Sequence, residues 1–248
     1  MKYQSGAVSV IALATLAFAA CSPSAPAPAE PTPAPEAAAP AEPAAAPAPD
    51  VSQLPAGVYK TDPSHSTLVF HVNHLGFSNY TASFTGVKTE LTLDPAAPET
   101  AKVTATIDLS SLTLPAPPKG FVDELLSAQW LDKKTTPQMK FESTGVTKTG
   151  PATADIAGNL TLKGVTKPVT LHATFNGGYG GHPQDPHARI GFSADGVLKR
   201  SDFGVSLGIP VPPSTMGVGD DVKFEIETEL SGPEWKDPGT TPATPPAQ

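Results

Sequence analysis

Asp62-Pro63-Ser64-His65-Ser66 holds the side-chain types of a hydrolase triad: a carboxylate, a histidine and two hydroxyls. In a triad, the nucleophile, the base and the orienting acid converge from separate elements of the fold. Here all of them are neighbours in sequence, and Asp-Pro-Ser is typical of a turn whose side chains bond to the local backbone. The chain also lacks a Walker A loop and an H-E-x-x-H motif. The sequence therefore predicts no catalytic site.

The histidines do not form a convincing metal site. His71 and His74 are an odd number of residues apart on a predicted strand, so their side chains point to opposite faces. His182, Asp185 and His187 lie in the loop GGYGGHPQDPHAR, which has no rigid framework to fix ligand geometry. The sequence predicts a solvated loop here and no bound metal or other cofactor.

The stretch Lys199-Arg200-Ser201-Asp202-Phe203-Gly204 places a cation, an anion and a glycine together at the end of a predicted strand. One interpretation is an exposed salt bridge, which would contribute under about 1 kcal/mol. The other is a rim site, in which Arg200 receives a polar or anionic head group of a ligand. Both interpretations stay open on the residues alone.

Composition limits the class of partner. The 248 residues carry a net charge of −8, and no basic block occurs. Phosphate binding needs clustered Lys and Arg, so nucleic-acid binding is not expected. The single cysteine, Cys21, excludes an intramolecular disulfide.

The N-terminal region is typical of an exported protein. Residues 1–20 have Lys2 followed by an apolar run, as in a signal peptide. Cys21 follows Phe18-Ala19-Ala20, which resembles a bacterial lipobox, so we expect cleavage before Cys21, its lipidation, and tethering to the outer membrane; ordinary cleavage after Ala19 is the alternative. Residues 21–54, rich in Pro and Ala, and the tail 232–248 are predicted to be disordered. The linker reaches up to roughly 90 Å as polyproline II.

The rest of the chain reads as one all-β domain. Leu68, Phe70 and Val72 alternate with polar neighbours, and seven further segments show strand patterns. They are residues 83–93, 101–109, 139–147, 154–162, 169–175, 188–198 and 222–230. One helical stripe runs from Phe121 to Trp130. About eight antiparallel strands fit a sandwich or a closed barrel, and periodicity does not decide between them.

Turn signals separate these segments. Turns are predicted at Leu75-Gly76, Asp94-Pro95, Lys163-Gly164, Gly177-Gly178 and Gly219-Asp220. The apolar, Pro-rich connection SLGIPVPPSTMGVG at residues 206–219 has two interpretations: a packed loop over the end of a barrel, or a lid or membrane-touching lip over its mouth.

A series of motifs in a fixed order resembles the YceI-like family across roughly residues 57–231. They are TDPSHSTLVFHVNHLGFSNYTASFTG, IDLSS, WLD, PQMKFES, GNLTLKGVTKPVTL, KRSDFG and VGDDVKFEIETEL. The resemblance implies a lipocalin-like antiparallel β-barrel over residues 55–231. It also implies an exported protein that binds a polyisoprenoid lipid and has no established catalytic activity. The chain departs from the family where Leu125-Leu126 stands in place of His-Leu, which removes a polar side chain before the end of the helix.

On this basis we expect a periplasmic carrier or reservoir for a prenyl quinone or prenyl diphosphate. Ten apolar side chains are predicted to contact the lipid tail, although core packing explains each of them equally well. They are Leu68, Phe70, Val72, Phe84, Leu91, Ile107, Phe141, Leu171, Phe192 and Phe224. The predicted head-group contacts are His65, Asn73, His74, Arg200 and Asp202.

Two other functions stay open at this point. One is an interaction or stress-protection module whose barrel is filled by its own side chains. The other is an enzyme that acts on a prenyl or sugar substrate. Whether the barrel forms a homodimer is likewise left open.

Overall fold

The computed structural model describes residues 50–234 and contains ten strands and one short helix. Sequence alternation accounts for most of the strands, because β-branched and aromatic residues recur at every second position. The strands are β1 Gly57–His74, β2 Ser78–Phe84, β3 Val87–Leu93, β4 Lys102–Asp108, β5 Leu112–Thr113, β6 Gln138–Lys148, β7 Thr153–Leu162, β8 Val165–Tyr179, β9 His187–Lys199 and β10 Val218–Glu234. The helix is α1, Phe121–Leu125.

Eight of these strands close into an antiparallel barrel. The order β10-β9-β8-β7-β6-β4-β3-β1 returns to its start because β1 also pairs with β10. The short strands β2 and β5 extend the wall beside the second half of β1. The lipocalin-like barrel with one short helix that the resemblance implied is thus confirmed.

The first strand is longer than its sequence pattern indicated. Its beginning, Gly57–Lys60, pairs with β3, whereas residues 68–74 pair with β2. The predicted turn at Asp62-Pro63-Ser64 is wrong, because these residues lie inside β1. They form an irregularity where the pairing with β10 shifts, and Ser64 N–H donates to Asp62 Oδ1 at 2.9 Å. A bulge of this kind keeps the strand continuous while it bends around the barrel.

The two ends of the barrel differ. The helix end carries α1, the β1–β2 turn and the connection from β9 to β10. The opposite end, called the chain-terminus end because the described residues begin and end there, carries a 3₁₀ turn, Val51–Gln53, and the end of β10 at Glu234. Leu54 is buried there, next to β8. Each end has its own apolar cluster: Leu109 and Phe203 lie in the first, and Tyr59 and Leu230 in the second.

Two of the predicted turns are confirmed by backbone geometry. Leu75-Gly76 and Lys163-Gly164 each have positive φ at both residues, which suits tight hairpins between twisted strands. Asp94-Pro95 also lies in a turn.

Other local predictions are wrong. Gly177-Gly178 lies within β8, and Gly219-Asp220 lies within β10. The predicted strand 83–93 is two strands, β2 and β3, separated at Thr85-Gly86. The helix ends at Leu125, so Trp130 lies in the turns that follow it.

The predicted signal peptide, Cys21, most of the predicted linker and most of the predicted tail lie outside the described residues. Within residues 50–234, no helix is both long and apolar enough to span a bilayer.

Candidate functional site

An elongated cavity occupies the interior of the barrel, with a volume of about 710 Å³. Sites for small molecules commonly range over about 300–1,000 Å³. Met139 and Lys148 on β6 both line it, and the nine residue steps between them span about 30 Å along the strand. The lining reaches from Val51 at the chain-terminus end to Trp130 at the helix end. The shape therefore suits a long, slender ligand.

The alternation of β1 and β10 creates the apolar wall. Leu68, Phe70 and Val72 line the cavity from β1, and Phe224 and Ile226 line it from β10. Their neighbours in sequence point outward, because successive side chains of a strand alternate between faces. The apolar face of β1 thus forms part of the interior surface of the barrel.

Two inward-facing glycines make room for aromatic rings. A Cβ at Gly158 would lie 2.3 Å from Cζ of Phe141, and a Cβ at Gly196 would lie 2.5 Å from Cζ of Phe224. These rings therefore lie flat against the neighbouring strand. A methyl group at either position would push a ring towards the barrel axis. The two glycines therefore keep the space along the axis open.

Few ionisable side chains line the cavity. Among the described residues they are His74, Tyr80, Lys148 and Arg200. Lys148 lies at the chain-terminus end, whereas the other three lie at the helix end. The long middle is lined mainly by apolar side chains and accepts a hydrocarbon chain, and the ionisable groups are confined to the ends.

Arg200 is a buried cation, with 5% of its surface exposed. Its Nε donates to Gly219 O at 2.8 Å, its Nη1 donates to Val205 O and Leu207 O, and its Nη2 donates to Val218 O at 2.7 Å. Burial lowers the pKa of the guanidinium, which the nearby Asp220 partly offsets. Arg200 therefore holds both ends of the β9–β10 connection against the barrel.

The surface salt bridge expected at KRSDFG forms at Lys199, and its partner lies outside the motif. Lys199 Nζ pairs with Asp221 at 2.7 Å on the surface. Asp202 lies exposed, and the carboxylate of Asp220 accepts hydrogen bonds from the backbone N–H and hydroxyl of Ser201. Arg200 takes no part in this salt bridge, because its guanidinium is bonded to backbone carbonyls inside the fold.

Trp130 lies beside Arg200 and supplies a free donor. Its Nε1 atom is buried and has no hydrogen-bond partner among residues 50–234. A buried N–H without a partner costs about 1–3 kcal/mol. Because Trp130 lines the cavity, a ligand oxygen at the helix end is able to satisfy it. Sequence reasoning assigned Trp130 to a helical stripe and missed this role. Its position in the sequence did not indicate that its N–H would lack a partner.

Twelve of the fifteen predicted ligand contacts line the cavity, which leaves their contact with a ligand as a prediction. They are Leu68, Phe70, Val72, His74, Phe84, Leu91, Ile107, Phe141, Leu171, Phe192, Arg200 and Phe224. The structure brings the ten apolar members together around one space, and it places His74 and Arg200 at the helix end.

The remaining three lie elsewhere. His65 is on the outer surface, where its Nδ1 lies 3.1 Å from Asp62 Oδ2 and 3.8 Å from Glu229 Oε2. Asn73 follows Val72 and points outward, and its Oδ1 accepts from Gly76 N–H at 3.0 Å. Asp202 is exposed in the 3₁₀ turn that begins at Arg200. The geometry gives none of the three a place in the cavity.

The cluster around Asp62 is an ion-pair network. Hydrogen bonds from Ser64 N–H and from His65 lower the pKa of Asp62. Arg189 bridges Asp62 and Asp185, at 3.0 and 3.3 Å. It lies on the outside of the chain-terminus end, where it joins β1 to β9 across β10. The link that Arg189 makes between β1 and β9 therefore accounts for the charged side chains around Asp62.

The predicted metal candidates remain apart. His71 Nδ1 pairs with Thr81 Oγ1 at 2.8 Å across β1 and β2. His182 bridges to Asp185 through the backbone of its loop, and its Nδ1 accepts from Gln184 N–H at 3.2 Å. No group of three or more potential metal ligands occurs within the described range.

A barrel of this topology, with this interior, is matched by a known domain family. The YceI-like domain matches residues 59–230. The chain belongs to the YceI-like family. Related YceI-like sequences include a UPF0312 protein of Pseudomonas putida strain W619, 40% identical over 157 residues, which span 62% of this chain and 79% of that protein. A UPF0312 protein of Pseudomonas savastanoi pv. phaseolicola is 33% identical over 68% of this chain and 84% of its own length.

Solved structures show the same YceI-like fold. BcnA of Burkholderia cenocepacia is similar with a TM-score of 0.57 and 25% identity, over 68% of this chain and 98% of BcnA. The YceI protein of Campylobacter jejuni has a TM-score of 0.53 and 27% identity, over 66% and 90%. A polyisoprenoid binding domain from Saccharophagus degradans has a TM-score of 0.50 and 13% identity, over 72% and 100%.

Proposed function

We propose that this YceI-like protein binds an isoprenoid-type lipid lengthwise inside its barrel and serves as a periplasmic carrier or reservoir. The observation that carries the proposal is the apolar cavity of about 710 Å³, whose ionisable side chains among the described residues lie only towards its ends. The description of the Saccharophagus degradans domain as polyisoprenoid-binding supports the ligand class for this fold. A binding role fits the family and this interior better than catalysis does.

The size of the apolar ligand follows from the energetics of binding. Each 100 Å² of apolar surface removed from water contributes about 2.5 kcal/mol. Association costs about 4–15 kcal/mol in lost freedom of motion. Tight binding therefore needs several hundred Å² of buried hydrocarbon, which a prenyl tail supplies and a short acid or sugar does not.

We place the head group of the proposed ligand at the helix end. Trp130 Nε1 offers a buried N–H, and His74 lies at the rim of the same end. Four of the five N–H bonds of a guanidinium are directed at carbonyls in Arg200. A carbonyl head group, as in a prenyl quinone, needs only the donors that remain; a prenyl diphosphate needs more of them. Both head groups belong to the proposed ligand class.

The second candidate, a barrel filled by its own side chains, is less consistent with the cavity volume. It would predict that the purified protein carries no lipid. Native mass spectrometry of protein from a lipid-containing host decides between the two: we expect an adduct whose mass fits a prenyl quinone or diphosphate. Protein that carries no lipid and takes up neither compound contradicts the carrier.

A matched pair of variants sharpens this test. Ala194 lines the cavity from β9, whereas Val197 on the same strand is exposed. Ala194→Phe fills the cavity, so it is expected to abolish the adduct, while Val197→Phe retains it. Equal retention by both variants would place the lipid outside the barrel.

The proposal includes export and a membrane tether. Residues 1–20 act as the signal, and acylated Cys21 holds the protein at the outer membrane. Cys21→Ala is expected to release it from the membrane fraction; retention there shows that another feature holds it. Light scattering of the purified protein tests the homodimer.

A further inference from the structure

The helix end carries an exposed surface that the storage of a lipid in the cavity does not require. It consists of the β9–β10 connection, residues 206–217, and the β1–β2 turn, residues 75–77; we call it the apolar tip. Leu75 N–H donates to Gly217 O at 2.8 Å and joins the two pieces. A Cβ at Gly76 would lie 2.8 Å from Thr215 Oγ1, so the backbone of Gly76 packs closely against the Thr215 side chain.

The apolar tip exposes large hydrophobic side chains. Val211, Phe77 and Met216 are 80%, 79% and 64% exposed, and they are the three most exposed large hydrophobics among residues 50–234. Leu207 adds a fourth to the same surface. Exposed apolar side chains are ordinary when they are scattered, but a concentration of them marks an interaction site.

The apolar tip also lacks charge. Residues 203–218 and 75–79 contain no acidic or basic side chain. The nearest exposed charges are of both signs, namely Asp202, Lys163 and the ion pair Lys199–Asp221, and the whole chain has a net charge of −8. An anionic surface would repel this end of the barrel, whereas an uncharged apolar surface would not.

The apolar tip continues directly into the wall of the cavity. Val218, which lines the cavity, donates its N–H to Gly208 O at 2.7 Å. Arg200, which also lines the cavity, holds the carbonyl of Leu207 at 2.9 Å. The described chain begins at Asp50 and ends at Glu234, both at the opposite end of the barrel. The apolar tip is therefore unobstructed by either of these ends.

We propose that the apolar tip inserts into the surface of a zwitterionic lipid bilayer and places the helix end of the cavity against it. The ligand then passes between bilayer and barrel without crossing water. Docking rests on the exposed side chains alone, whereas the passage of ligand rests on the proposed function. The occupant is lipid because the surface is apolar, uncharged and continuous with a lipid-shaped cavity.

Site-specific fluorescence tests insertion in the full chain. Cys21→Ala removes the one native thiol, and Met216→Cys or Val197→Cys then carries a polarity-sensitive probe. Val197 is the matched control, since it is 56% exposed on the side of the barrel. With neutral phosphatidylcholine vesicles, we expect a blue shift and quenching by brominated lipid at position 216 only, and little dependence on salt. Equal responses at both positions overturn the proposal, as does a shift that follows protein concentration without vesicles, which would indicate a second copy of the chain.

Ligand uptake separates this proposal from the carrier function. Val211→Asp with Met216→Asp is expected to slow uptake of a radiolabelled prenyl quinone from vesicles by about tenfold or more. Uptake from detergent solution should stay unchanged, and Val58→Asp with Val197→Asp should alter neither. Equal uptake by all variants from vesicles overturns the role of the apolar tip in transfer. Failure of the unmodified protein to bind from detergent counts against the carrier instead, and the probe still decides insertion.

Discussion

The guanidinium of Arg200 lies over the ring of Trp130, with 5.5 Å between its carbon and the ring centre. A cation above an aromatic face is attracted by the negative charge of that face. The contact joins a residue from the β9–β10 connection to one from the long segment between β4 and β6, at the helix end of the cavity. It fixes the indole so that its N–H remains inside the fold.

Replacing Arg200 tests its role as a clamp. Arg200→Met leaves four carbonyls without their donor, so we expect a loss of about 3 kcal/mol or more in the free energy of unfolding. Arg200→Lys restores only part of this, because an ammonium lacks the planar fork. Urea unfolding measures both. Lys199→Met, which breaks an exposed ion pair, should change stability by less than about 1 kcal/mol; a similar loss in both variants would contradict the clamp.

Trp130→Phe separates ligand binding from stability. The substitution keeps an aromatic ring and removes the N–H, which has no partner among the described residues. We expect ligand affinity to fall by about tenfold, the value of one hydrogen bond, with no loss in the stability of the empty protein. Titration with ligand and thermal unfolding provide the two measurements. Lower stability with unchanged affinity would show that the indole serves packing alone.

The glycines behind the aromatic rings predict a sharp local sensitivity. Gly158→Ala places a methyl group against Phe141, so we expect about 1–3 kcal/mol of destabilisation from overpacking. Gly145→Ala, on β6, is the control because no atom lies within 4 Å of the position that its methyl group would take. Chemical unfolding of both variants checks the difference. Equal effects would mean that the ring moves aside without cost.

Tyr59 predicts a loss of stability in alkali. Burial raises its pKa to about 12 from 10.0, and its hydroxyl donates to Pro55 O at 2.7 Å. The folded state therefore favours the neutral phenol. This contribution is complete below pH 10 and is lost as the pH rises from 10 towards 12. The free energy of unfolding should decline less steeply across this pH interval in Tyr59→Phe. Titration of the Tyr59 phenol at its ordinary pKa of 10.0 would contradict its burial.

The alternation of apolar residues predicted the strand faces well. Leu68, Phe70 and Val72 line the cavity as expected, because period-two patterns survive whatever the strands pair with. The choice of a barrel over a sandwich came from the family resemblance. Periodicity alone does not specify which strand is the neighbour of which, and the pairing of β1 with β10 is set by the whole chain.

Local signals failed where tertiary pairing overrides them. Gly177 and Gly178 are typical of a turn, but β9 pairs with both of them and keeps them in a strand. Asp62-Pro63-Ser64 has turn chemistry and forms its local hydrogen bond inside a bulge. The role of Arg200 could not be predicted from the sequence for a related reason. Its partners are carbonyls of residues 205–219, and backbone acceptors leave no mark on the sequence.

The pairing of the first strand with the last has a consequence for the order of folding. Lys60 lies opposite Ser231, and Val72 lies opposite Val222. Contacts between such distant positions form late, because a long loop must be closed before they contribute. The β-hairpins from β6 to β10 are able to form locally, yet β1 keeps an unpaired edge until β10 is present. A chain interrupted before residue 218 therefore exposes a strand edge, and such an edge is a site of aggregation.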